Sequence, residues 1–543
     1  MSYSWWRVGT IYQVYPRSFQ DSNGDGVGDL DGIRRRLDYL VWLGVDAIWI
    51  SPFYPSPMHD FGYDVADYCN VDPIFGSLES FDRLLDAAHA RQIKVILDFV
   101  PNHTSITHPW FIASRRSRSS EKRDWYIWRD AAADGGPPNN WLSNFGGAAW
   151  NWDEATGQYY YHAFLAEQPD LNWRNPEVRA AMHDVLRFWL RRGVDGFRVD
   201  VVSDVIKDAA FRDNPLNPAW TAGEPEISRL SPIYSTDQPE AHDVIAGFRR
   251  VVDEFDSRVL IGEIYLPIER LVAYYGANLM GLHLPFNFHL LSTAWTAPDI
   301  AGLIERYEAA LPKGAWPNWV LSNHDRPRVA ARVGQEQARV AAMLLLTLRG
   351  TPTLYYGDEL GVGHAEIPPN RVQDPCGKRE PSLGRDPSRT PMQWDASPFA
   401  GFSTQAPWLP LTPDYETRNV ETMRGDATSI LSLVRSLLQY RRRRAALKEG
   451  EWRLLSRNSP ILAYERGWGE YSIVVVLNLS GLPRIWSKPA AAELRIVIST
   501  HGDRRAETVG ATVSLRANEG LVMETARASN DVTASKPTDP ASS

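Results

Sequence analysis

Short apolar runs alternate with longer amphipathic stretches through the first two-thirds of the chain. The runs fall at 10–15, 47–50, 94–100, 194–199, 259–264, 282–288, 319–321 and 353–356. They are rich in β-branched and aromatic residues and bounded by Gly, Pro, Asn or Asp, the pattern of buried strands. Between many of them, as at 30–43, 80–91, 176–192 and 239–255, apolar positions recur every three or four residues, which predicts helices. Strand and helix alternating in this way over eight strands predict an α/β fold, a parallel (β/α)8 TIM barrel.

Two stretches break the alternation. Residues 104–172 are dense in Trp, Tyr, Pro, Asn and Gly, too long for an ordinary connection, and are expected to form an inserted subdomain after the third strand. The barrel would then occupy 1–103 and 173–449, carrying a long loop at 361–425 and ending in a helix over 429–446. From 450 to 527 the pattern changes to short alternating strands, at 461–464, 471–478, 494–498, 512–515 and 520–524. These predict a C-terminal antiparallel β domain. Residues 528–543, made largely of Ser, Thr, Ala, Pro and Asp, read as a disordered tail.

The polar residues at the strand ends change the picture from scaffold to site. The run Gly-Val-Asp-Gly-Phe-Arg-Val-Asp at 193–200 places Arg198 and Asp200 two residues apart, hence on one face of a strand. Alone, the pair reads equally well as a structural ion pair or as a carboxylate kept ionised for attack. Asp64, Asp98, His103, Glu263, His324 and Asp325 also fall at or just after predicted strand ends. In a barrel those ends converge on one face, where active sites form. Carboxylates crowded there can hold one another in different protonation states, as acid–base chemistry requires.

Composition narrows the partners. A net charge of −8 gives no electrostatic reason to expect nucleic acid or an anionic membrane. Two cysteines, Cys69 and Cys376, cannot form a disulfide framework. The longest apolar stretch, 340–348, is far too short to cross a bilayer. With no charged-then-apolar signal region at the start, a cytoplasmic enzyme is expected. Oxygen-bearing residues recur at Asp21, Asn23, Asp25 and Asp29, with the Val27 carbonyl between them, in a Gly-rich turn. That spacing matches the first nine positions of a calcium loop, although residue 32 is Gly where a closing Glu is expected. A structural Ca2+ is anticipated there, against the plainer reading of an acidic turn.

Seven motifs in order, from Asp60-Phe-Gly-Tyr-Asp64 and Asp98-Phe-Val-Pro-Asn-His103 to Arg389-Thr-Pro-Met-Gln-Trp394, resemble glycoside hydrolase family 13, the α-amylase family. The others are Gln168-Pro-Asp-Leu-Asn172, Gly196-Phe-Arg-Val-Asp200, Gly262-Glu263 and Asn323-His-Asp325. Within the family they look like the α-glucosidase and oligo-1,6-glucosidase branch. The resemblance implies Asp200 as nucleophile, Glu263 as general acid/base and Asp325 as transition-state stabiliser. It implies that Asp64, Tyr63, His103, Arg198, His324 and Arg385 grip the terminal glucose, with Arg385 paired to Asp64 and closing the pocket for exo-action. Phe145 and Phe164 are candidate pocket walls or core aromatics. A small α-glucoside substrate and retaining hydrolysis are thereby expected. The alternatives are a transglucosylase or sucrose isomerase with the same groups, or a catalytically silent sugar-binding or transport-accessory relative. Val201, next to Asp200, hints at α-1,6 action, but the following Val-Ser-Asp204 departs from the oligo-1,6-glucosidase pattern.

Overall fold

A computed structural model of the chain describes residues 4–458, 460–469, 471–488 and 493–525. Eight strands form one parallel sheet: β1 (Ile11–Val14), β2 (Ala47–Ile50), β3 (Lys94–Phe99), β4 (Gly196–Val199), β5 (Val259–Gly262), β6 (Leu284–Pro285), β7 (Asn318–Val320) and β8 (Thr351–Tyr355). Pairing runs in order from β1 to β6, and β8 joins β1 to β7. Asn318 spans the gap between β6 and β7: its side chain donates to the Pro285 carbonyl and accepts from the Asn287 amide at 3.0 Å. The result is a nearly closed TIM barrel.

Alternation along each strand sorts side chains between two cores. Ile11, Ala47, Trp49, Ile96, Val259 and Ile261 pack inside the barrel with Phe286, Trp316 and Val320. Their neighbours Tyr12, Val14, Ile48, Ile50, Val95, Leu97 and Leu260 face the surrounding helices. Because both faces are buried, the strands read as continuous apolar runs.

The path into β4 aims the site. Helix Pro176–Arg192 starts where Asn175 accepts the Glu177 amide, with Pro176 in the first turn, and stops at Gly193, whose φ of 108° suits glycine. Asp195 then takes the Val95 amide at 2.9 Å, Lys94 Nζ at 3.0 Å and His89 Nε2 at 2.6 Å, pinning the start of the strand. Gly196 is required because a Cβ there would lie 2.3 Å from the Val259 carbonyl oxygen. Asp98 and Arg198 are register partners across β3 and β4. Just past the strands, the Asp200 amide donates to Phe99 at 2.8 Å and the Glu263 amide to Val199 at 2.9 Å. Both carboxylates are therefore held at the C-terminal rim by backbone hydrogen bonds.

Between β3 and β4 lies a three-stranded antiparallel sheet (Trp128–Arg129, Trp150–Asp153 and Gln158–Tyr161) around Trp141, Trp150 and Tyr161. After the barrel, a six-stranded antiparallel sheet and a two-stranded one make up the C-terminal domain. Ile461–Trp468, Tyr471–Asn478, Leu494–Ser499, Thr512–Leu515 and Gly520–Thr525 cover the expected strands. Glu451–Ser456, Arg484–Ser487 and Thr508–Val509 were not anticipated, being partly exposed or very short. The helix expected over 30–43 is two, Leu30–Arg35 and Leu37–Leu43, parted at Arg36. The expected tail at 528–543 lies outside the described residues. No helix among the described residues is long and apolar enough to cross a membrane.

Candidate active site

A cavity of about 390 Å³ opens at the C-terminal rim of the barrel. Asp200, Glu263, Asp325, Tyr63, His103, Phe145, Phe164 and Arg385 line it, as do Asp60, Asp204 and Arg326. Residues scattered over more than 300 positions of sequence thus meet in one place. Arg198 and His324 are fully buried directly behind that lining.

Arg198 is the hub of the carboxylate cluster. Its Nη1 reaches Asp98 at 2.7 Å and Asp200 at 2.6 Å, and its Nη2 reaches Glu263 at 2.6 Å. The Val201 amide donates to Glu263 Oε2 at 3.1 Å. Burial raises Asp200 well above the ordinary carboxylate range; Arg198 opposes the rise, while Glu263 and Asp98 add to it. Arg198 thus pulls Asp200 in the direction anticipated, but does not outweigh burial and crowding. Burial likewise lifts Asp98 to about 6 despite Arg198. One guanidinium facing three buried carboxylates leaves excess negative charge, so the cluster retains a proton most readily where attack and proton donation are to be divided.

The opposite wall is built to keep a carboxylate ionised. Burial would raise Asp325, but Arg385 at 3.2 Å and Arg389 at 2.8 Å help hold it well below the usual range. His324 is the largest influence holding Asp325 down, followed by Arg385, Arg389 and Arg198. Burial pushes the His324 ring itself down to about 3, so at pH 7 it is neutral and the three arginines remain to favour the ionised carboxylate. With Gln13 Nε2 at 2.8 Å, His324 Nδ1 is the acceptor, leaving Nε2–H for the Tyr63 hydroxyl at 2.7 Å and Asp325 at 3.1 Å. Tyr63 stacks on the same imidazole, with ring centres 5.3 Å apart.

The structure corrects the partner of Arg385. Its guanidinium meets Asp60 at 2.6 Å, Asp374 at 2.7 Å and Asp325, not Asp64. Asp64 is turned into the 58–64 turn, where Met58 and Phe61 have φ of 65° and 48°. There its carboxylate accepts Ser56 Oγ at 2.8 Å and the amides of His59 and Asp60 at 2.9 and 3.0 Å. These local donors engage both of its oxygens, so Asp64 supports the turn and Asp60 reaches the cavity. His103 Nε2 lies 3.1 Å from the Tyr63 carbonyl and from Gln168 Nε2, and burial lowers the ring to about 4. Phe164 packs against His103 and meets Phe145 edge-on, and Arg385 lies 4.9 Å from the Phe145 ring centre. Both phenylalanines are pocket walls.

Sequence reasoning missed Asp60, Arg389 and Asp374 as site residues, although the first two lie inside motifs already singled out. It also missed Arg326, whose guanidinium stands 5.0 Å from the ring centre of Tyr265 on the cavity wall.

The 21–29 loop lies apart from this cluster. Asp21 accepts the amides of Asn23, Gly24 and Gly26 and the Ser403 hydroxyl, Asp25 accepts Val27, and Asp29 accepts Ser22 and Gly32. Among the described residues no three His, Cys, Asp or Glu side chains converge as a metal site. The donor set still fits a hard cation in kind, with three carboxylates, one amide oxygen and one carbonyl at alternate positions, curled by Gly24 and Gly26 at φ of 84° and 86°.

Comparison with known proteins agrees with this geometry. A probable alpha-glucosidase of Rhizobium meliloti (strain 1021) is 43% identical over 494 residues, 88% of this chain and 89% of that protein. The alpha-glucosyl transfer enzyme XgtA has a TM-score of 0.92 at 42% identity, covering 96% of this chain and 100% of its own. The trehalulose synthase MutB from Pseudomonas mesoacidophila MX-45 has a TM-score of 0.89 at 34% identity, with 96% and 100% covered. Residues 13–450 match the model of the alpha amylase catalytic domain, and the chain belongs to the α-amylase family.

Proposed function

We propose that this enzyme is a retaining exo-α-glucosidase, releasing glucose from the non-reducing end of short α-glucosides. The observation that carries the reading is the meeting of Asp200 and Glu263 around Arg198 at one wall of a sugar-sized cavity. Asp200 attacks the anomeric carbon while Glu263 protonates the departing oxygen; water, deprotonated by Glu263, then releases glucose from the ester on Asp200. An inverting enzyme keeps its carboxyls about 6.5–9.5 Å apart to admit a water and a retaining one about 5–5.5 Å, so the sharing of a single guanidinium by Asp200 and Glu263, each 2.6 Å from one of its nitrogens, favours retention. Asp325, kept ionised, offers its charge to the ring hydroxyls and to positive character developing at the anomeric carbon. Arg385, held by Asp60, Asp325 and Asp374 at the cavity wall, would close it behind a single ring, the arrangement that exo-action needs.

Asp200→Ala should lower turnover of 4-nitrophenyl α-glucoside by about a thousandfold or more. Proton NMR of the first product from wild type should show α-glucose; β-glucose appearing first would sink the retaining mechanism. A second reading, glucosyl transfer, is favoured by the likeness to XgtA. It predicts products longer than the substrate when a disaccharide is raised to high concentration.

The same proposal places a structural calcium ion in the 21–29 loop, held by Asp21, Asn23, Asp25, Asp29 and the Val27 carbonyl. Chelator should lower Tm, and added Ca2+ should restore it in wild type but not in Asp25→Ala.

A further inference from the structure

Beyond the groups that face the glucose unit, the cavity wall carries a fifth carboxylate, Asp204. It follows a tight turn after β4 in which its amide donates to the Val201 carbonyl at 2.9 Å and Val201 has φ of 34°. Asp204 is 8% exposed, and Oδ1 accepts Ser203 Oγ at 3.0 Å. Oδ2 accepts nothing from the described residues, yet is not sealed from the cavity. The nearby cation, Lys207, is committed elsewhere, to Asp170 and to Asn102 Oδ1 at 2.8 Å. A nearly buried carboxylate with an oxygen left over at a cavity wall is an acceptor in need of a donor.

Its position says which donor. Val201 links Asp204 to Glu263: its amide donates to Glu263 Oε2 at 3.1 Å and its carbonyl accepts the Asp204 amide, and both carboxylates line the same cavity. On the reading proposed above, Glu263 protonates the leaving oxygen, so what lies beyond it is the leaving unit. Ile227, Pro232 and Leu266 line the same cavity and offer apolar surface for the C–H face of a sugar ring.

We propose that Asp204 recognises the leaving unit: Oδ2 accepts hydrogen bonds from hydroxyls of a second sugar, making the enzyme select glycosyl over simple alkyl leaving groups. The selection rests on the α-glucosidase reading, and the site takes a neutral polyol ring.

The test compares Asp204→Asn and Asp204→Ser with wild type on maltose, isomaltose and methyl α-glucoside. Methanol needs protonation on leaving, as a sugar does, but brings no further hydroxyl for Asp204 to hold. The ratio of disaccharide to methyl α-glucoside kcat/KM should fall about tenfold to a hundredfold. In a Glu263→Gln background, either replacement should weaken maltose binding by a similar factor in calorimetry. Equal loss on all three substrates, or a basic limb of the pH profile shifted alike on all three, would overturn the proposal. So would an unchanged ratio. Failure of wild type on every α-glucoside would instead remove the reading on which this one stands.

Discussion

Asp60 and Asp64 carry the same side chain four residues apart and are set to opposite tasks by their donors. Asp60 meets the cavity arginine, Arg385, and Gln168, whereas Asp64 is enclosed by Ser56 and two turn amides. Asp60→Asn should therefore lower kcat/KM on α-glucosides by about a hundredfold with little change in Tm. Asp64→Asn should cost about 1–3 kcal/mol of stability in thermal or urea unfolding, through the turn it caps. If the two variants exchange these phenotypes, the assignment is wrong. The motif made both carboxylates legible in sequence, but not which one faces inward, because that depends on the positive φ of Met58 and Phe61. Arg198 supports a pH prediction. It opposes the rise of Asp200, so weakening its contact lets that carboxyl rise further. In Arg198→Lys, which keeps the charge but loses the two-sided grip, the acid limb of kcat/KM should move to higher pH. A limb unmoved or shifted to lower pH would show that Arg198 does not tune the nucleophile.

At the scale of elements, the barrel was legible because each strand is buried on both faces and announces itself as an apolar run. The 176–192 helix was legible to the residue, since Asn175, Pro176 and Gly193 punctuate it chemically. The hydrophobic pattern could not place groups delivered by irregular chain: Arg385 was reached through the family resemblance alone, with the wrong carboxylate as its partner, and Arg389 was not reached as a site residue at all. Arg385 and Arg389 arrive from the long loop some 60 residues after Asp325, and Arg389 is seated by a hydrogen bond to the His324 carbonyl at 2.9 Å. No periodicity encodes such a return. The exit of β4 shows the same limit, since a β-branched residue at φ of 34° is not what turn chemistry suggests. The strain of that conformation is about 1–3 kcal/mol. Val201→Asn, which tolerates positive φ, should recover about 1 kcal/mol of it and raise Tm. A lower Tm would mean that packing by the valine methyls outweighs the strain.

At the scale of the molecule, the family match stops at residue 450, whereas the packing does not. Leu462, Tyr464, Ile473, Val475, Leu477 and Val522, on one face of the C-terminal sheet, belong to the same continuous core as helix Gln335–Thr347 and the outer face of the barrel. The opposite face, with Ile461, Val474 and Val476, packs with Trp486 of the two-stranded sheet in a separate core of its own. Polar contacts tighten the seam: the hydroxyls of Thr347 and Tyr464 are 2.6 Å apart, and buried Arg466 donates to the carbonyls of Thr347, Leu447 and Gly450. Arg466 thus satisfies helix-end carbonyls that would otherwise be buried without partners. Two bodies joined through a shared apolar core cannot lose one without exposing the other to water. Calorimetry should therefore record one cooperative unfolding transition for barrel and C-terminal domain together. Arg466→Ala should lower its Tm without splitting it, at a cost of about 3 kcal/mol or more from the unpartnered carbonyls and the cavity. Two resolved transitions in the wild type would mean that the C-terminal domain is an appendage rather than a wall of the barrel's own core.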